Sequence, residues 1–154
     1  MVMDLFDSLL NELSTELDIP SLKSDSNNSC LIKLPENGAK IQLEFDKTQE
    51  YFVIASNLGF IPRGRYREIV FKEALRHNNT PHPRNGTFCY SDKNENLVLM
   101  ELLPLKDLTG VKIAEVFTPF SERATAWKQA IEKGEVPQAA GMSARPAGSG
   151  MFGL

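Results

Sequence analysis

Three patterns in the sequence predict an α+β domain in the order α-β-β-β-α-β-β-α, built on a twisted antiparallel sheet. Apolar residues recur at helical spacing in three separate stretches, one opening the chain, one near its middle and one closing it. Between them, short runs alternate apolar and polar residues as half-buried strands do. Turn-forming clusters such as Pro35-Glu36-Asn37-Gly38 and Asp92-Lys93-Asn94-Glu95 separate those runs.

The first helix follows a cap at Asp4 and carries Leu5, Phe6, Leu9, Leu10, Leu13 and Leu17 at helical spacing. Asp18-Ile19-Pro20 ends it, because the residue before a proline is pushed out of the helical region. Its apolar arc is roughly 140° wide, more than the roughly 100° stripe that one core contact requires, so the Leu5 or Leu10 rim is expected to stay accessible. Cys30, Ile32 and Leu34 alternate as a first strand, Lys40 to Asp46 as a second, and Tyr51 to Ser56 reads as a third that is apolar on both faces. Leu58 to Gly64 reads as a loop. A second helix is expected from about Arg65 to His77, and Pro81, Pro83 and Gly86 forbid its continuation. Thr87 to Ser91 and Leu97 to Leu103 form a hairpin whose second strand has only Glu101 among its apolar residues. Such a strand is sandwiched between layers or held in a subunit interface. In the last helix Ile113, Phe117, Phe120, Ala124, Trp127 and Ile131 keep one phase through Pro119, which predicts one kinked helix ending at Gly134.

At 154 residues, with 42% hydrophobic and 24% charged side chains, the chain is one globular domain. We place that domain at residues 1–136 and a flexible tail rich in Gly, Ala and Pro at 137–154. Asp4 and Asp7 stand where a signal peptide would carry basic residues, and two cysteines make no disulfide framework. Both features predict a reduced, cytoplasmic protein.

Candidate chemistry is sparse. His77, His82, Cys30 and Cys89 match no zinc spacing, and Gly59 to Gly64 lacks the lysine of a phosphate-binding loop. No carboxylate pair stands out as general acid and base, so neither an enzyme nor a cofactor is expected. The formal net charge of −3 argues against a general polyanion binder, but it is unevenly spread. Residues 1–46 hold nine acids and three bases, whereas residues 47–86 hold three acids and seven bases. The alternative function is therefore a small nucleic-acid-binding regulator using Arg63, Arg65, Arg67, Lys72, Arg76, His77 and Arg84. Glu68 and Glu73 interleave with these bases, and no exposed aromatic platform accompanies them, which favours an ordinary solvated helix face.

The element order, size and acidic character resemble the Tir-chaperone family of type III secretion chaperones over residues 1 to about 137. The echoes are Asp4-Leu5-Phe6-Asp7-Ser8-Leu9-Leu10, Asp25-Ser26-Asn27-Asn28-Ser29-Cys30, Leu58-Gly59-Phe60-Ile61-Pro62, Trp127, and Lys133-Gly134-Glu135-Val136-Pro137. Pro119 departs from the pattern. The resemblance implies a cytosolic homodimer without ATPase activity that binds the N-terminal segment of secreted effectors and keeps it non-globular. It would then deliver that segment to the secretion apparatus, whose ATPase becomes a candidate partner. It also implies an interface from the second helix and later strands, hence Ile69, Val70, Leu97 and Leu99. The first helix and strand surface would supply the cargo patch, hence Leu5, Leu9, Leu10, Leu13, Ile32, Leu43 and Phe45.

Overall fold

A computed structural model describes residues 4–137. Its elements follow the expected order: α1 (Leu5–Leu17), β1 (Ser29–Lys33), β2 (Lys40–Phe45), β3 (Tyr51–Phe60), α2 (Arg65–Asn78), β4 (Thr87–Ser91), β5 (Asn96–Pro104) and α3 (Gly110–Glu132). All strand pairs are antiparallel, in the spatial order β1-β2-β3-β5-β4. Helix α2 is the connection that carries the chain past β5 to the far edge, where β4 adds and the hairpin returns β5 beside β3.

Local chemistry sets the ends of α1. The Asp4 carboxylate accepts from the Asp7 N–H at 2.8 Å, and Asp18 closes the helix in the left-handed region at φ 53°. Ser14 is buried in this helix and fully satisfied, donating to Leu10 O and accepting from Leu22 N, both at 2.8 Å.

Strand β3 is longer than expected: it runs ten residues, to Phe60, through part of the segment read as a loop. A bulge at Asn57–Gly59 makes this possible, since Gly59 adopts φ 115° and its N–H donates to the Asn57 side chain at 2.9 Å. The bulge breaks the alternation that marks a strand in sequence, while Leu58 and Ile61 on either side remain buried.

Helices α1 and α3 pack on each other, and α3 lies across β3. Ile41 and Leu43 of β2, Phe52 and Ile54 of β3, Leu99 of β5 and Phe120 and Trp127 of α3 meet in one core. At the β4 edge, Trp127 stacks on Phe88 with ring centroids 4.0 Å apart, and His77 of α2 meets the other side of Phe88 at 5.0 Å. Helix α3 is one helix through Pro119, as its phase predicts. Of the tail assigned to 137–154, residues 138–154 lie outside the described residues, including Met151, Phe152 and Leu154.

Candidate functional site

The sheet has two unlike faces. One carries Phe52, Ile54 and Leu99 into the core; the other alternates with it and, among the described residues, has no helix packed on it. Along β2 that second face is polar, with Lys40, Gln42 and Glu44. Along β3 and β5 it is apolar. Val53, only 7% exposed, stands opposite Leu102, and half-buried Ala55 opposite half-buried Met100, with half-buried Val98 one step further along β5. Leu102 is 46% exposed and Tyr51 37% exposed at one end of this strip, while Cys89, exposed on β4, flanks it beside Val98.

None of the four expected interface residues lies on the second face. Leu97 and Leu99 point into the core and are buried there with Val70, so within one subunit they are interior side chains. The strand was recognised as apolar on both faces, but alternation assigns Val98, Met100 and Leu102, not Leu97 and Leu99, to the uncovered one. Ile69 is half-buried, and Leu75 on the same helix is 67% exposed.

The expected cargo patch divides between core and surface. Leu9, Leu10, Leu13 and Leu43 lie in the core, and their burial removes them from any free surface. Leu5 is 55% exposed, and Ile32 and Phe45 are half-buried. Of the two rims expected for α1, the structure leaves Leu5 accessible and buries Leu10 completely. Sequence reasoning missed Leu31, 53% exposed on the edge strand β1, and Phe60 at the end of β3, 53% exposed. An outward-facing apolar residue in an edge strand was the available signal.

The basic stretch is largely spent on the fold. Glu95 in the β4–β5 turn receives Arg63 at 2.9 Å and Arg67 at 3.2 Å, and these hydrogen bonds hold its carboxyl below the ordinary range. Arg67 also donates to Ile61 O and lies over the Tyr90 ring at 5.5 Å. Arg76 pairs with Glu73 at 3.0 Å, and Arg84 donates to Thr80 O and the Thr87 hydroxyl. Of this stretch, Arg65 and Lys72 alone among the described residues make no ion pair or side-chain hydrogen bond, too few to follow a phosphate backbone.

Among the described residues no three His, Cys, Asp or Glu side chains are grouped to hold a metal, and no helix is long and apolar enough to cross a membrane. His77 is fully buried; its Nε2–H donates to Gly86 O at 2.8 Å, while Nδ1 has no partner. Burial, reinforced by Arg123 and Arg84, lowers its pKa against the opposing pull of Gly86 O. The Cys30 thiol is pushed up by burial, away from nucleophilic use.

Among the described residues, a single sheet backed by two helices on one face, with an apolar strip along β3 and β5 on the other, is the architecture of a small binding module rather than of an enclosed active site. The model of the Tir chaperone protein family matches residues 8–128, and the chain belongs to that family. Solved structures of similar fold agree. A chain in the crystal structure of the Yersinia pestis type III secretion chaperone SycH with a stable fragment of YscM2 is 20% identical, with a TM-score of 0.60 over 77% of this chain and 96% of that one. The HopA1–SchA chaperone–effector complex gives 17% identity and a TM-score of 0.65 over 84% and 100%. The ExoU–SpcU complex of the Pseudomonas aeruginosa type III secretion system gives 16% and 0.60 over 82% and 98%. No curated protein sequence matches the chain.

Proposed function

We propose that this protein is a cytoplasmic, homodimeric type III secretion chaperone that binds the N-terminal segment of one or more secreted effectors and keeps it non-globular. It acts by binding rather than by catalysis, and hands its cargo to the secretion apparatus, with the apparatus ATPase as the candidate receiver. The observation that carries this reading is the apolar strip of half-buried Ala55, Val98 and Met100 and exposed Leu102, with buried Val53 beside them, on a sheet face that no helix of the described chain covers. A second copy supplies that cover, with Ile69 of α2 contributing at the margin and Val70, Leu97 and Leu99 supporting the surface from behind. Exposed Leu5 and the open sides of half-buried Ile32 and Phe45 remain for cargo. An extended cargo loses several kcal/mol of chain entropy on ordering, about 2–5, and needs apolar surface of this kind to offset it.

The test has two arms. Light scattering at micromolar concentration should give a dimer mass for the wild type and a monomer mass for Leu102→Glu, with circular dichroism unchanged. The purified dimer should also protect the N-terminal segment of a secreted protein co-expressed from its host's secretion cluster against proteolysis. A monomeric wild type removes the interface, and failure to protect any such segment removes the chaperone role.

A further inference from the structure

Where α1 begins, a cleft of about 420 Å³ opens between the helix start, the end of β2 and the segment after β5. Its floor is apolar. Leu5 stands 55% exposed beside half-buried Phe45 and Leu105, and Phe6 anchors the floor to the core, its ring 5.0 Å from Phe45 and 6.0 Å from Phe52. The rim is acidic, with Asp4, Glu44 and Asp46. Asp4 caps α1, and Asp46 accepts from the Glu50 and Tyr51 N–H groups and the Thr48 hydroxyl, so both carboxylates are fixed in place. None of the four ion pairs among the described residues involves a rim acid. Among the described residues that line it, three carboxylates stand against Lys47 and the partial positive charge of the α1 start, so that lining is net negative.

We infer that this cleft is a selective anchor site that seats one large aliphatic or aromatic side chain of a partner polypeptide flanked within a few residues by Lys or Arg. The inference rests on the chaperone reading and adds a preference to it. The apolar floor alone would take any leucine-rich segment. The unpaired carboxylates make the choice, because an acidic flank would meet repulsion and a basic one would find its countercharge. The same charges keep the opening hydrated when it is empty, which suits an exposed leucine.

The probe is a pair of synthetic twelve-residue peptides with identical leucines, one flanked by arginines and the other by glutamates. They are titrated into the full chain while the methyl signals of Leu5 and Leu105 are followed by NMR. The arginine peptide is expected to move those signals and to weaken several-fold between low and 0.5 M salt. The glutamate peptide is expected to bind at least about tenfold more weakly, since attraction has become repulsion at a partly buried rim. Leu5→Ser should weaken the arginine peptide about tenfold or more, as the loss of one buried leucine would, and Glu44→Lys should narrow the gap between the two peptides. Equal affinity for both peptides, or shifts confined to residues away from the cleft, overturns the inference. So does binding that appears only when residues 1–3 are removed, because the chain's own start would then be the occupant. Any of these results leaves dimer mass and cargo protection untouched, so failure of the anchor is distinguishable from failure of the chaperone reading.

Discussion

Replacing Gly110 by alanine tests how closely the two core helices approach. Gly110 opens α3, and a Cβ built on it would fall 2.3 Å from Cβ of Glu12, 2.7 Å from the Glu12 carbonyl carbon and 2.8 Å from the Leu13 nitrogen. Ordinary carbon–carbon contact is roughly 3.5–4.0 Å, so the helices must part by about 1.2 Å or more at this crossing. The obstacle is α1 backbone and a Cβ, which no rotamer change can move aside. Overpacking of this kind costs about 1–3 kcal/mol, against a helix-propensity gain from Gly to Ala of at most about 1 kcal/mol. The helix separation also loosens Leu13 and Ile113, both fully buried, which carries the net loss to about 2 kcal/mol. For a chain of this length that corresponds to a melting temperature about 4–8 °C lower. Thermal denaturation followed by circular dichroism reads it directly. Because propensity alone would raise the melting temperature, an unchanged or higher value for Gly110→Ala refutes the close approach.

Leu10→Ala should lose about 2–5 kcal/mol in urea denaturation, whereas Leu5→Ala should stay within about 0.5 kcal/mol of wild type, since Leu10 is fully buried and Leu5 is more than half exposed. Arg63 and Arg67 keep the folded pKa of Glu95 below its unfolded value, so ionised Glu95 stabilises the fold above the ordinary glutamate range. That contribution is lost as the pH falls through the lowered value, and the stability gap between wild type and Glu95→Gln should close in acid. His77 has the opposite charge type: burial lowers its folded pKa, so the unfolded chain takes up the proton first. Stability should be level above the ordinary histidine value of about 6.5 and fall as pH drops from there toward the lowered value, a slope that His77→Phe should flatten. Truncation after Pro137 should leave the melting temperature unchanged, whereas truncation after Lys133 should lower it, because Tyr66 donates to Glu135 O at 2.7 Å.

The order of elements was readable because each helix keeps one phase and β2 alternates without error over Lys40–Phe45. The bulge in β3 was not, since Asn57 and Gly59 look like loop residues until the Asn57 side chain is seen holding the Gly59 N–H. Membership of an apolar surface was harder still. Leu97, Leu99, Val98 and Met100 are equally apolar, and only the pairing of β5 with β3 decides which two face solvent. For α1 the over-wide arc signalled an accessible rim at Leu5 or Leu10, and the structure exposes Leu5; the burial of Leu10 and the close approach of Gly110 to Glu12 and Leu13 are tertiary facts. The basic stretch looked like a possible binding face because its principal countercharge, Glu95, lies about thirty residues away in sequence.

The proposed second copy answers to the width of the sheet. Five strands at about 4.8 Å spacing span roughly 20 Å, and two helices about 10 Å across cover one face of it and no more. Helices α1 and α3 supply that cover, while α2 is committed to the β4 edge through Phe71 on Tyr90 and His77 on Phe88. No helix of the described chain remains for the second face. The chain could have made that face polar throughout, and on β2 it does, with Lys40, Gln42 and Glu44. On β3 and β5 it does not. A covering partner should therefore stop at the boundary between β2 and β3, which makes its footprint predictable. Gln42→Lys, one strand beyond that boundary and paired with Ala55, should leave the dimer mass unchanged, whereas Met100→Lys, opposite Ala55 on the other side, should split it. If both substitutions split the dimer, the partner covers the whole sheet; if neither does, the apolar strip is not the interface.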